Sequence, residues 1–215
     1  MERRPLASRD ARASRALASF LARHGASPNA ISVAGMLCAV AAGGALVLTA
    51  EAPEWTRAWW IAAAALVQMR LLANMLDGMV ALESGRSSPV GELFNEVPDR
   101  VSDAAILVGL GYAAGGHPAL GWAAALAAVF TAYVRAEGRV AGAPQDYGGP
   151  MAKPQRMFAV TVLALWCGLA PSAWNPRWPG AALEGIPAWA TLLLLVGTVV
   201  TAVLRLRRIG RALCR

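Results

Sequence analysis

Cysteine, histidine and lysine are scarce in this chain, and each scarcity removes a class of explanation. The three cysteines, Cys38, Cys167 and Cys214, are odd in number, and two sit inside apolar runs. A disulfide framework is therefore not expected, and they read as small packing residues. The two histidines, His24 and His117, stand alone and are expected to be neither metal ligands nor bases. Lys153 is the single lysine among twenty cationic residues, so arginine carries almost all the positive charge. Charge itself is sparse, at 15% of residues against 57% hydrophobic, and mean hydropathy is +0.46. That balance excludes a soluble globular domain. Residues 1–26 lack the apolar core of a secretory signal, so none is expected there. No internal repeat recurs at a fixed period.

What is present is a series of apolar runs. A bilayer core takes about 20 apolar helical residues. Six stretches answer to that description: 30–50, 58–82, 92–115, 118–134, 157–174 and 186–204. The second is interrupted by Arg70 and Asp77, and the third is polar at its start. Six spans place both termini on one side. Segments 1–28, 83–100, 135–156 and 205–215 hold seventeen cations, whereas the opposite connections hold only Arg57 and Arg177. The positive-inside rule then makes both termini cytoplasmic. The Arg and Ala bias is that of a GC-rich genome, and a bacterial cytoplasmic membrane is the expected location. Nucleic acid is not expected as a partner. Monomer and homodimer both stay open.

Residues 5–24 place Ala13, Leu17, Phe20 and Leu21 on one helical face, with Arg9, Arg12 and Arg23 off it. A basic amphipathic helix of this kind lies in the headgroup plane. Ser27-Pro28-Asn29 would end it and redirect the chain into the first span. The expected fold is thus an all-α membrane protein, six transmembrane helices preceded by an amphipathic interfacial helix. Its boundaries are 1–28 for the tail and interfacial helix, 29–209 for the six-span domain and 210–215 for a basic tail.

Ionisable groups inside spans are costly and mark function. Here they concentrate in two stretches. In the second span, Arg70, Asn74, Asp77, Gly78 and Ala81 recur at helical spacing and share one face. In the third, Gly91, Asn95, Asp99 and Asp103 recur every four residues. The short connection 83–90 predicts antiparallel neighbours whose polar faces meet in a site open to the cytoplasm. Small residues alone would read as close helix packing, and acids alone as a wet helix end. Their alignment on both helices argues for a site.

The two stripes resemble the signature of the CDP-alcohol phosphatidyltransferases, D-x2-D-G-x2-A-R-x8-G-x3-D-x3-D. This chain reads N-x2-D-G-x2-A-L-x8-G-x3-N-x3-D, with every gap conserved in length. Asp77, Gly78, Ala81, Gly91 and Asp99 keep the family residue, whereas Asn74, Leu82 and Asn95 depart from it. Six spans, an amphipathic first helix, Ser-Pro-Asn before the first span and Tyr133-Val134-Arg135-Ala136 also resemble the family.

The resemblance implies transfer of a phosphatidyl group from a CDP-linked lipid, CDP-diacylglycerol, to a small alcohol or polyol phosphate, with release of CMP in phospholipid synthesis. It implies a divalent cofactor, Mg2+ or Mn2+, at Asn74, Asp77, Asn95 and Asp99, with Asp99 also the base. It implies that Gly78, Ala81 and Gly91 line the donor. Leu82 stands where the family has an arginine, and Arg86 is a nearby substitute. Two carboxylates instead of four predict weaker metal binding and one ion rather than two, unless Glu96 and Asp103 compensate. Pro98 either kinks the third span or is tolerated there. Arg135, Arg139, Lys153 and Arg156 follow as an anion pocket for a phosphorylated acceptor such as glycerol phosphate or inositol phosphate. Ordinary positive-inside charge would account for the same four residues. Gly148-Gly149-Pro150 would make this connection a flexible lid. The alternative function is a non-catalytic lipid- or nucleotide-binding relative that has lost part of its metal site. A transporter comes third, because the polar residues gather at one face and not at the midplane.

Overall fold

Proline starts the helices of this protein. In the computed structural model, which describes residues 12–85 and 89–214, proline occupies the first turn of α2 (Pro28–Glu51), α5 (Pro118–Val140), α6 (Lys153–Leu169) and α7 (Ile186–Leu213). Its missing N–H costs nothing there, and its fixed φ suits a helix start. Ahead of α5, the His117 ring accepts a hydrogen bond from the Leu120 N–H at 3.4 Å, a structural role for that histidine. The remaining helices are α1 (Arg12–Arg23), α3 (Thr56–Glu83) and α4 (Pro89–Tyr112). Among the described residues the only strand-like pairing is an isolated bridge between Arg177 and Gly185.

The architecture is all-helical and membrane-spanning. Four segments are long and apolar enough to cross a bilayer: Pro28–Glu51, Pro53–Glu83, Pro118–Val140 and Ile186–Leu213. The other two expected spans correspond to α4 and α6. Charged residues dilute the first half of α4, and α6 has only 17 residues. α4 runs unbroken through Pro98.

The expectation that α3 and α4 pack as antiparallel neighbours is not met. α2 packs extensively on both, while α3 and α4 scarcely touch. Small residues explain this. A Cβ at Gly43 would come within 2.5 Å of the Ala105 carbonyl oxygen, so α2 lies almost backbone to backbone on α4. A Cβ at Gly35 would meet the Ala73 Cβ at 2.7 Å, which seats α2 against α3. α2 is thus a wedge, and a cleft is left between α3 and α4 on its flank. The apolar core, including Leu46, Val67, Leu107, Leu110 and Met157, lies beyond the cleft toward the far end.

α1 packs on α3 through Ala18, with Leu21 and Ala22 against Leu76 and Val80. Leu17 and Phe20 stay exposed. The part of the expected amphipathic helix before Arg12, including Arg9, lies outside the described residues, as does Arg86.

Candidate active site

The start of α2, the end of α3, the start of α4, the end of α5, the start of α6 and the end of α7 meet at one end of the bundle. Both predicted stripes are there, and they differ in how their polar atoms are satisfied.

On α3, Asp77 is buried and its Oδ2 accepts a hydrogen bond from Ser32 Oγ at 2.6 Å. Its Oδ1 is buried with no hydrogen-bond partner, and so is Asn74 Oδ1 one turn earlier. Gly78 and Ala81 are half-buried on the same face. Leu82 is 63% exposed, so it makes no inward substitute for the arginine of the family pattern.

On α4, Gly91 and Asn95 are half-buried. Asp99 and Asp103 are buried, and cations already hold them. Arg70, reaching from α3, pairs with Asp99 Oδ1 and donates from Nε to Ser102 Oγ at 2.9 Å. Lys153 Nζ stands 2.5 Å from the same Asp99 oxygen and 3.8 Å from Asp103 Oδ1. Arg156 donates to Asp103 Oδ2 at 2.7 Å and to the Met151 carbonyl at 3.0 Å. The long Arg70 side chain bridges the gap that the helix backbones leave.

The four expected acceptor residues separate into two groups. Lys153 and Arg156, in the first turn of α6, join the buried acids. Arg135, near the end of α5, is held by Glu96 at 2.6 Å, and its guanidinium lies 5.1 Å from the Tyr147 ring centre. Glu96 also pairs with Arg100 at 3.1 Å, so it orients two arginines. Arg139 is exposed in the last turn of α5. The expected lid is fastened instead of free. Arg205 on α7 donates to the carbonyls of Gly148 at 2.9 Å, Thr131 at 3.0 Å and Tyr147 at 3.2 Å. Thr201 Oγ1 accepts the Met151 N–H at 2.9 Å.

Sequence reasoning missed Ser32, Ser102 and Arg205. Ser32 lies one turn after the helix-starting Pro28, a position that gives no hint of Asp77. Arg205 opens a basic run that the positive-inside rule explains by itself.

Among the described residues, no three His, Cys, Asp or Glu side chains gather as a metal cluster. The unpartnered oxygens of Asn74 and Asp77 do suit a cation. Magnesium commonly takes one or two carboxylates and completes its shell from phosphate oxygens and water. These residues therefore fit one ion completed by a ligand. At the opposite end of the bundle, a cavity of about 550 Å³ is lined by Arg57, Trp60, Asn175 and Arg177, and it contains no motif residue.

A helical membrane bundle with paired polar stripes at one end defines the class, and comparison with known proteins names it. The profile of the CDP-alcohol phosphatidyltransferase family matches residues 26–203. The chain belongs to this family and is a membrane transferase of phospholipid synthesis. It is similar to the phosphatidylinositol phosphate synthase of Mycobacterium tuberculosis, at 31% identity over 97% of this chain and 92% of the relative. It is also similar to the archaetidylinositol phosphate synthase of Aeropyrum pernix, at 31% identity over 72% of this chain and 74% of the relative. The crystal structure of the M. tuberculosis synthase with CDP-DAG bound superposes with a TM-score of 0.71 at 26% identity, covering 93% of this chain and 94% of that one. The same enzyme in complex with manganese and citrate superposes equally well, at 25% identity over 92% and 88%.

Proposed function

We propose that the chain transfers a phosphatidyl group from CDP-diacylglycerol to a phosphorylated polyol, with inositol phosphate the first candidate, and releases CMP at the cytoplasmic face. One observation carries this reading. Lys153, a cation suited to a phosphate, stands against Asp99, the acid suited to taking a hydroxyl proton. The names of the relatives support the donor and the inositol-type acceptor.

In this reading α4 and α6 also cross the membrane, giving six spans with both termini cytoplasmic. α1 lies at the interface, with Leu17 and Phe20 toward lipid. Reporter fusions at Arg215 and near Arg177 are expected on opposite sides. A periplasmic C-terminal tag would remove the cytoplasmic site.

Gly78, Ala81 and Gly91 give the donor's cytidine diphosphate room to approach the helices. Asn74, Asp77 and Asn95 hold a divalent ion with the donor, and Asp99 lies beside it. When bound, that ion supplies charge neutralisation at the pyrophosphate. Arg135, Arg139, Lys153 and Arg156 receive the acceptor's phosphate. A phosphate at Lys153 draws its ammonium off Asp99, and with Arg70 still on Oδ1 the other carboxylate oxygen, Oδ2, is the one that acts. Asp99 then takes the hydroxyl proton, the acceptor oxygen bonds to the lipid-side phosphorus, and the bridging P–O bond breaks as CMP leaves.

The test is purified protein with CDP-diacylglycerol, Mg2+ or Mn2+, and a panel of inositol phosphate, glycerol phosphate and free inositol. CMP release with inositol phosphate, weak with free inositol, is the expected result. No release with any acceptor would leave the non-catalytic alternative.

A further inference from the structure

Arg70 is an unusual residue to find deep in a metal-binding cleft. It is 1% exposed, it pairs with Asp99, and its Nε is committed to Ser102. Its Nη1 is buried with no hydrogen-bond partner. The wedge helix makes room for it, since a Cβ at Gly35 would come within 3.0 Å of Nη1 and 3.5 Å of Cδ. A buried arginine with space made for it and a carboxylate to meet it is a built feature of the cleft.

Charge explains what it does. The buried acids of the cleft are Asp77, Asp99 and Asp103, and the cations inserted among them are Arg70, Lys153 and Arg156. These three acids and three cations balance before any metal or substrate arrives, and Arg100 stands a further 3.7 Å from Asp99 Oδ2. Two divalent ions held close together need several carboxylates to offset them. Here Asn74 and Asn95 remove two, and Arg70 covers a third. The α3 side is different, because among the described residues no cation is ion-paired with Asp77, whose Oδ1, like Asn74 Oδ1, has no hydrogen-bond partner, whereas the equally unbonded Asp103 Oδ1 belongs to a carboxylate paired with Arg156.

We propose that Arg70 is a resident cation that takes the place of a second metal ion, so that Asp99 is closed to metal and the cleft holds one divalent ion, on the α3 side. This rests on the reading above that the motif positions are metal positions. The guanidinium is covalently part of the chain and cannot dissociate or exchange. It therefore gives Asp99 a permanent partner where a metal-bound site would empty and refill.

Counting Mn2+ by electron paramagnetic resonance, with CDP-diacylglycerol present, tests the proposal without relying on turnover. Wild-type protein is expected to bind one ion per chain with an uncoupled spectrum. Arg70→Met combined with Asn95→Asp is expected to admit a second ion, seen as an exchange-coupled pair. Asp99 keeps Lys153 in that variant, and donor-induced thermal stabilisation reports whether it has folded. Arg70→Lys with Asn95→Asp keeps the charge and is expected to stay at one ion. Two coupled ions in the wild type overturn the proposal. So does a single ion in the folded Arg70→Met variant, or a second ion in the Arg70→Lys variant. If wild type binds no Mn2+ but the Met variant gains an ion, Arg70 is still the blocking cation and only the metal of the proposed function falls. Absence of ions from every chain overturns both.

Discussion

The two halves of the cleft carry the same kind of motif and end in opposite states. On α3, Asp77 and Asn74 keep oxygens without partners. On α4, Asp99 is ion-paired with Arg70 and Lys153 and Asp103 with Arg156, although Asp103 Oδ1 also lacks a hydrogen bond and has only Lys153 at 3.8 Å. Among the described residues the α3 acid is ion-paired with no cation, and the α4 acids have received their cations from the protein. An acid motif therefore does not define a metal site by its spacing alone. What each carboxylate meets on other helices decides its use.

The sharpest way to break this comparison is to remove a charge from each half. Asp99→Asn is expected to spare donor binding but reduce CMP release by on the order of 10²–10⁴-fold, as for a lost general base. Metal-dependent release that survives the change would sink the assigned role of Asp99. Asp77→Asn is expected to weaken Mn2+ and donor binding together, by roughly 10–100-fold, the range seen when a metal site is disturbed. Titrating both ligands against the two variants shows whether the halves differ in kind.

Stability separates them as well. Arg156→Ala leaves Asp103 buried, with only Lys153 at 3.8 Å to offset it. Breaking a buried pair in this way costs about 3–5 kcal/mol, which thermal unfolding in detergent would register as a large drop in Tm. Ser32→Ala on the α3 side removes one hydrogen bond to a carboxylate and is expected to cost about 1.5–3 kcal/mol. Equal losses would erase the distinction. The smallest effect belongs to the rim. Arg135→Ala is expected to raise the acceptor KM by about tenfold, the loss of one charge-assisted hydrogen bond, with donor KM unchanged. An equal rise for both substrates would remove Arg135 from the acceptor side.

Local periodicity explains why the sequence carried some of this and not the rest. The face shared by Asn74, Asp77, Gly78 and Ala81 follows from helical spacing, as does the row Asn95, Asp99 and Asp103. Each of these arrangements lies within a single helix. The partners of those residues are distant in the chain. Arg70 stood on the predicted face, but its pairing with Asp99 depends on α2 holding the two helices apart. Lys153 and Arg156 were legible as cytoplasmic cations and as acceptor candidates, yet their attachment to Asp99 and Asp103 requires α6 to dock beside α4. The wedge itself rests on Gly35 and Gly43, two of several small residues in an apolar run, and spacing does not single them out.

The Arg205 clasp has a consequence for the connection it holds. One guanidinium ties the carbonyls of Thr131, Tyr147 and Gly148 to α7. Swinging the connection aside would break the bonds to Tyr147 and Gly148 while Thr131, inside α5, still holds the guanidinium, so the connection keeps a fixed post on which to close again.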